Sequence, residues 1–319
     1  MKIISLGEIL WDVFPDAQHL GGAPFNFAAH ARRLGHDVFF VSAVGDDDRG
    51  RAALAKMEQL NLSTRFVQRL TSAATGIVSV RLDAAGQPTF TIHRPAAYDL
   101  VSLSPGDLAE ISAPPADWIY FGTLHQMSPG ARDLLAAVIG ANPRARRFYD
   151  INLRPDSYQP ALVQDLMKRA SVVKLNDAEV RTVEDLFGLF PLSGGSTRLS
   201  RSPRSLEEFC RTSAETYGWE AVCVTRGAQG CALLIGDEYT EVDGYPVEVA
   251  DTVGSGDAFA AAFVHGLSGG WTGRRTSGWT PAEIGDFANR VGALVASRHG
   301  AIPSWTIEEC RALVRPGLR

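Results

Sequence analysis

The sequence contains few cysteines, and their spacing excludes the structures that cysteine commonly supports. Its 319 residues include four cysteines, at positions 210, 223, 231 and 310, and none forms a Cys-x-x-Cys pair. This pattern indicates neither a zinc site nor a disulfide framework. We therefore expect reduced thiols in a cytosolic protein.

Long apolar runs and targeting segments are also missing. No run approaches the ~20 apolar residues that a helix needs to span a bilayer. Residues 1–8 resemble a short strand with an early charge and lack the pattern of a signal peptide. The sequence thus predicts a cytoplasmic location without a membrane partner.

The charge and the glycine motifs exclude further classes of protein. The net charge of −5 argues against nucleic acid as a partner. A Gly-x-x-x-x-Gly-Lys-Ser/Thr motif is absent, which argues against a P-loop NTPase. The segment Gly254-Ser255-Gly256 is followed by Phe259 where a dinucleotide fingerprint requires Gly or Ala, and it lies far from the first strand. A dehydrogenase is therefore not expected.

Short apolar segments alternate with amphipathic ones along most of the chain. The predicted strands are residues 2–6, 37–44, 118–121, 147–150, 172–175, 221–225 and 231–235. The predicted helices are residues 24–34, 49–60, 131–139, 162–170, 177–186, 206–217, 258–267 and 281–298. This alternation favours an α/β fold with a largely parallel sheet covered on both faces.

Two regions, residues 9–20 and 75–93, break the alternation because both read as strands without helices between them. Residues 77–82 and 88–92 form a predicted hairpin around a turn at 83–86. This hairpin belongs either to a small separate sheet or to the edge of the main sheet. Segments 191–204 and 268–280 are predicted loops whose role the sequence leaves open.

The most informative segment runs from residue 251 to residue 267. Glycines flank Ser255, and Asp257 follows at the start of a helix rich in small residues. The N–H groups in the first turn of a helix lack internal partners, and glycine lets an anion approach them closely. A carboxylate beside such a cradle suits phosphoryl transfer to a hydroxyl group. The alternative is that Asp257 only caps the helix.

Two residues near the N-terminus are candidates for binding a polyol. Gly21-Gly22 leads into a helix, so that Asn26 lies near the glycine turn, where its amide both donates and accepts hydrogen bonds. Asp12 follows the first strand, and the carboxyl ends of strands are where α/β sheets place ligands. Taken alone, Asn26 fits a solvated helix start better, and the alternative for Asp12 is a surface acid in a loop.

Two more segments follow predicted strands. Asn176 and Glu179 have the spacing of a capping box, or else lie near nucleotide phosphates and hydrated magnesium. The segment from Thr225 through Gly227 to Gly230 offers N–H groups to phosphate or ribose, although by itself a glycine-rich turn explains it better.

Together these motifs resemble the ribokinase-like sugar kinases, the PfkB family, over essentially the whole chain. The N-terminal pattern is Gly21-Gly22, Asn26, Gly35 and Gly45, and the C-terminal pattern runs from Asp251 through Gly254-Ser255-Gly256-Asp257 to Ala261-Ala262. The resemblance implies a single domain, residues 1–319, with a three-layer αβα sandwich around a mostly parallel sheet. It also implies a small β lid built from residues 9–20 and 75–93, through which two chains are expected to form a homodimer.

The resemblance further implies an ATP-dependent carbohydrate kinase that uses magnesium and potassium. Asp257 would be the general base, and the backbone of Gly254, Ser255, Gly256 and Asp257 would form the anion hole. The implied sugar-binding residues are Asp12, Gly22, Asn26 and Arg154. The implied nucleotide-binding residues are Asn176, Thr225, Gly227, Gly230 and Asn289, and Glu179 would order magnesium through water. The implied potassium ligands are Asp251, Val253, Val295, Arg298, Gly300 and Ser304.

Residues 7–15 and 150–155 resemble the fructokinase branch, so fructose is the expected acceptor. His125-Gln126 and the long loop 268–280 depart from that branch. Other possible acceptors are 2-keto-3-deoxygluconate, another sugar or nucleoside, and a sugar that is already phosphorylated. A hypothesis from another class is a sensor that binds sugar or nucleotide without turnover.

Overall fold

The computed structural model describes residues 1–82, 88–187, 205–269 and 278–315. The predicted turn at 83–86, the predicted loop at 191–204 and most of the loop at 268–280 lie outside these residues. Within the described ranges, none of the helices combines the length and apolarity needed to cross a membrane.

The secondary structure follows the alternation seen in the sequence. The strands are β1 Lys2–Leu6, β2 Leu10–Val13, β3 Gln18–Gly21, β4 Asp37–Gly45, β5 Val67–Leu70, β6 Gly76–Leu82, β7 Pro88–Ile92, β8 Trp118–Gly122, β9 Arg146–Asp150, β10 Val172–Asn176, β11 Ala221–Thr225, β12 Cys231–Ile235 and β13 Glu238–Val242. The helices are α1 Ala23–Arg33, α2 Asp48–Gln59, α3 Pro105–Ile111, α4 Thr123–Gln126, α5 Pro129–Ala141, α6 Pro160–Arg169, α7 Asp177–Phe187, α8 Leu206–Tyr217, α9 Ser255–Leu267, α10 Pro281–Ala296 and α11 Ile307–Ala312.

The main sheet has the strand order β13-β12-β11-β10-β9-β8-β1-β4-β5. Neighbours from β11 to β5 pair in parallel, whereas β12 and β13 continue the sheet antiparallel beyond β11. Every residue of the central strands β1 and β8 is buried. Such continuous burial is expected where helices cover both faces of a parallel sheet.

Two hydrophobic cores lie on opposite faces of this sheet because successive strand residues point to opposite sides. Ile3 belongs to one core and Ile4 to the other. Helices α1, α2, α9, α10 and α11 contribute to the first core, and α3, α5, α6, α7 and α8 to the second. The expected three-layer αβα sandwich is confirmed.

Residues 9–20 and 75–93 contribute a second sheet, with the order β3-β2-β6-β7. Its β2 and β6 strands are parallel, and its outer pairs are antiparallel. This confirms the interpretation as a separate small sheet rather than an edge hairpin of the main one. At Gly76 a Cβ atom would lie 2.5 Å from the Tyr98 ring, so the absence of a side chain lets β6 dock closely.

The carboxyl ends of β1, β8, β9, β10 and β11 are adjacent in the main sheet. We call this row the carboxyl edge. In open α/β sheets, ligands bind beyond this edge. The segments that follow these strands are therefore where the chemistry is expected.

Candidate active site

Helix α9 begins directly after a turn through Gly254. Gly254 has a φ of 77°, and a Cβ atom there would lie 2.3 Å from the carbonyl oxygen of Ala301. Only glycine fits this turn. The first-turn N–H groups, with the positive end of the helix dipole, suit a bound anion.

Asp257 lies in the first turn of α9, where its carboxylate accepts a hydrogen bond from Asn26 Nδ2 at 2.8 Å. Burial and the charge of Asp150 raise the pKa of Asp257 to about 6, although the Asn26 bond and the charges of Lys174 and Arg154 act in the opposite direction. The Asp257 carboxylate does not cap α9, because the N-cap residue is Gly254 and the cap has no side-chain hydrogen bond. The geometry therefore favours a role other than capping.

Of the four predicted sugar-binding residues, Asn26 contacts this carboxylate and Arg154 acts on its charge. Gly22 has a φ of 114°, and a Cβ atom there would lie 2.4 Å from the Glu8 carbonyl oxygen. Asp12 lies on β2 of the small sheet, and burial raises its pKa while the charge of Arg154 lowers it. Because Arg154 also lowers the pKa of Asp257, its guanidinium lies within electrostatic range of both carboxylates. The small sheet and the carboxyl edge thus contribute charged side chains to one region of the fold.

A buried ion pair that acts on Asp257 was not anticipated from the sequence. Lys174 Nζ donates to both carboxylate oxygens of Asp150 at 2.9 Å, and Tyr120 Oη donates to the same carboxylate at 3.1 Å. The ammonium lies 3.6 Å from the position that a Cβ atom on Gly256 would occupy. A lysine in the apolar segment Val172–Asn176 was the available signal, because lysine is rarely buried without a partner.

Asn176 and Glu179 form the reciprocal capping pair that their spacing predicts. Glu179 N donates to Asn176 Oδ1 at 2.9 Å, and Asn176 N donates to Glu179 Oε2 at 2.8 Å. Glu179 Oε1 also accepts from Leu153 N at 2.7 Å. Burial raises the pKa of Glu179. This carboxylate ties α7 to the segment after β9, and its remaining lone pairs fit a hydrated cation.

The turn between β11 and β12 holds Thr225, Gly227 and Gly230. Gly227 and Gly230 have positive φ values of 56° and 92°, and a Cβ atom on Gly230 would lie 2.1 Å from the Val242 carbonyl oxygen. Thr225 pairs with Asn176 across β10 and β11, so two predicted nucleotide contacts are neighbours. Asn289 Nδ2 donates to the carbonyls of Val242 and Asp243 at 3.0 and 3.1 Å, which ties α10 to the segment after β13.

The segments predicted to bind a monovalent cation also converge. Asp251 accepts hydrogen bonds from Val253 N through Oδ1 and from Gly300 N through Oδ2, both at 3.0 Å. The Asp251 N–H group donates to the Ala296 carbonyl at 3.2 Å, close to Val295 and Arg298 in the chain. Arg298 donates to the carbonyl of Ser304. These segments offer carboxylate and carbonyl oxygens, which suit a hard cation.

Comparison with known protein sequences identifies a single family. The profile of the pfkB family of carbohydrate kinases matches residues 10–308. A fructokinase from Klebsiella pneumoniae is 30% identical, with 94% of this chain and 95% of that protein covered.

Solved structures show the same fold. A sugar kinase from Pyrococcus horikoshii in complex with ATP has a TM-score of 0.76 at 25% identity, over 97% of this chain and 99% of that one. Fructokinase from Vibrio cholerae O395, in a form with fructose, ADP and calcium ion bound, has a TM-score of 0.77 at 23% identity, over 98% of each chain. The 2-dehydro-3-deoxygluconokinase from Thermotoga maritima reaches 0.78 at 19% identity, again over 98% of each chain.

Proposed function

The chain belongs to the pfkB family of carbohydrate kinases, and from this premise we propose that it transfers the γ-phosphoryl group of ATP to a primary hydroxyl group of fructose. The observation that carries the proposal is the hydrogen bond of 2.8 Å between Asn26 and Asp257. It joins a polyol-binding amide to a carboxylate at a helix N-terminus, where an anion is stabilised.

In this proposal Asp257 removes the proton of the accepting hydroxyl group, and Asn26, Gly22, Asp12 and Arg154 orient the sugar. The N–H groups of Gly254 to Asp257 stabilise the charge on the transferring phosphoryl group. The nucleotide lies against Asn176, Thr225, Gly227, Gly230 and Asn289. Magnesium, ordered by Glu179 through water, would neutralise phosphate charge, and potassium would lie among the oxygens near Asp251.

The charged side chains around the proposed sugar site support a neutral acceptor. Arg154 faces three carboxyl groups, those of Glu8, Asp12 and Asp257. Arg94 is already paired with buried Asp99, to which its guanidinium donates twice. A sugar acid such as 2-keto-3-deoxygluconate, or a sugar phosphate, would bring further negative charge close to these carboxyl groups, whereas fructose brings none.

The test is a coupled ADP-release assay with ATP, magnesium and potassium against fructose, ribose, 2-keto-3-deoxygluconate, adenosine and fructose 6-phosphate. We expect the highest kcat/KM with fructose. Preference for 2-keto-3-deoxygluconate or another acceptor would replace fructose as the proposed substrate but leave the proposed kinase activity in place. Binding of ATP and a sugar without turnover would support a sensor instead.

The activity is also expected to depend on pH through Asp257. A general base works in its deprotonated form, and the pKa of this carboxyl group is raised to about 6. Therefore kcat should fall as the pH drops below about 6 and reach a plateau above it. The measurement is a pH profile of kcat at saturating sugar and ATP, with the coupling enzymes in excess at each pH. An acid limb at the ordinary aspartate value near 4 would contradict the assignment.

A further inference from the structure

Glu8 lies where β1 ends at the carboxyl edge, and none of the roles proposed so far uses it. Its side chain is only 4% exposed. Its carboxyl oxygen Oε2 is buried without a hydrogen-bond partner among the described residues. An unpartnered buried carboxyl oxygen destabilises the folded protein, so its presence requires an explanation.

The cations near Glu8 do not satisfy this oxygen. Arg94 and Arg154 both lower the pKa of Glu8 through their charge. However, Arg94 donates its hydrogen bonds to Asp99 and, at 2.8 Å, to the Leu124 carbonyl. Burial dominates, together with the charge of Asp257, and raises the pKa of Glu8 to about 7.

Two more buried atoms also lack partners in the described structure, Asn26 Oδ1 and Tyr98 Oη. Asn26 holds Asp257 with its other amide atom. The charge of Glu8 raises the pKa of Tyr98, so the two side chains lie within electrostatic range. Three buried polar atoms near the proposed sugar site thus lack the partner that such atoms normally have.

We propose that Glu8 is a sugar-binding residue, whose free carboxyl oxygen accepts a hydrogen bond from a hydroxyl group of the acceptor sugar. The inference rests on the proposed function and adds a contact to it. The Glu8 carboxylate accepts this bond in its ionised form, while Asp257 remains the base. Glu8 would help to select a polyol, because only a ligand with a hydroxyl group at this point supplies the missing donor.

The test compares Glu8→Ala and the similarly shaped Glu8→Gln with wild type, using the acceptor that wild type phosphorylates best. Loss of a hydrogen bond to a charged group corresponds to about a 10- to 100-fold rise in KM for the sugar. We expect this rise in Glu8→Ala and a smaller one in Glu8→Gln, with the KM for ATP unchanged. Ser213→Ala is the matched control, because Ser213 Oγ is also buried and unpartnered but lies on α8, away from the carboxyl edge.

A pH series adds a result that a purely structural role would not produce. The charged and titratable groups that act on Glu8 or respond to it are Arg94, Arg154, Asp257, Tyr98 and Tyr120. Charge-assisted hydrogen bonds are the stronger ones. The wild-type KM for the sugar should therefore fall as the pH rises through about 7, where Glu8 ionises. Glu8→Gln should lack this step in the sugar KM. It should keep the fall of kcat at low pH that belongs to Asp257.

Thermal unfolding provides a second check. The pKa of Glu8 is about 7 in the folded chain and 4.5 for an ordinary glutamate, so its ionised form destabilises the fold fully above pH 7 and not below 4.5. Glu8→Gln should consequently have a Tm at pH 8 equal to or above that of wild type. A lower Tm or loss of the fold in Glu8→Gln would show a structural role and overturn the proposal.

The outcomes separate the two proposals. An unchanged sugar KM in both variants overturns the role of Glu8 alone. A best acceptor other than fructose overturns the proposed substrate, while Glu8 is still judged on that acceptor. If wild type phosphorylates none of the sugars, both proposals fail.

Discussion

The substitution Asp257→Asn is expected to lower kcat by roughly two to four orders of magnitude, which is the usual contribution of a general base. The side chain keeps its size, and Asn26 Nδ2, which donates to Asp257 at 2.8 Å, can donate equally well to an amide oxygen. The fold and the KM for the sugar should therefore change little. The measurements are steady-state kinetics and sugar binding by calorimetry.

A surface substitution of the same type provides the control. Asp165 on α6 forms an i,i+4 ion pair with Arg169 at 2.8 Å, and the exposed fractions of the Arg169 and Asp165 side chains are 37% and 46%. Because exposed pairs contribute little, Asp165→Asn should match wild type in both kcat and stability. Near-normal turnover in Asp257→Asn would rule out Asp257 as the base.

The second large effect is expected on stability, from Lys174→Met. The exposed fractions of the Lys174 and Asp150 side chains are 8% and 1%. Removing one partner leaves an uncompensated buried charge, which typically lowers the free energy of unfolding by about 3–5 kcal/mol. Urea denaturation monitored by circular dichroism measures this loss.

Two further variants make the result interpretable. Lys2 is also buried on a strand, but its ammonium donates to the Pro114 carbonyl at 2.6 Å rather than to a carboxylate. Lys2→Met should therefore lose only about 1 kcal/mol. The double variant Asp150→Asn/Lys174→Met should recover part of the loss because no buried charge remains unpaired. Equal losses in Lys2→Met and Lys174→Met would contradict the special role of the pair.

Much of the fold was predictable because local patterns carry it. Strands β1, β11 and β12 and helix α8 have the predicted bounds, and α9 begins where the glycine-flanked Ser255 indicates. The sequence analysis did not predict some short strands with few apolar residues, among them β5 and β13. Half-exposed edge strands do not show the continuous apolar run by which a buried strand is recognised.

The candidate site was predictable only where its residues form a motif. The spacing around Asp257 and around Asn26 pointed to both, although they are 231 positions apart. Lys174 lies in no motif, and the segments 7–15 and 150–155 did not single out Glu8 or Asp150 as site residues. Their importance comes from burial and from partners on other strands, which one sequence does not reveal. The roles of Glu179, of Asn289 and of the residues near Asp251, like the homodimer, stay predictions.

The sequence by itself determined the family and the alternation of strands and helices, because glycine conformations and hydrophobic periodicity are local properties. It also pointed to the glycine-rich helix N-terminus that carries Asp257, where phosphoryl transfer is proposed. Only the tertiary structure decided how residues 9–20 and 75–93 pair, with β2 and β6 parallel at the centre of the small sheet. The same is true of the buried pair of Lys174 with Asp150 and of the free oxygen of Glu8. Strand pairing and the burial of charge depend on contacts between distant segments, and these exist only once the chain has folded.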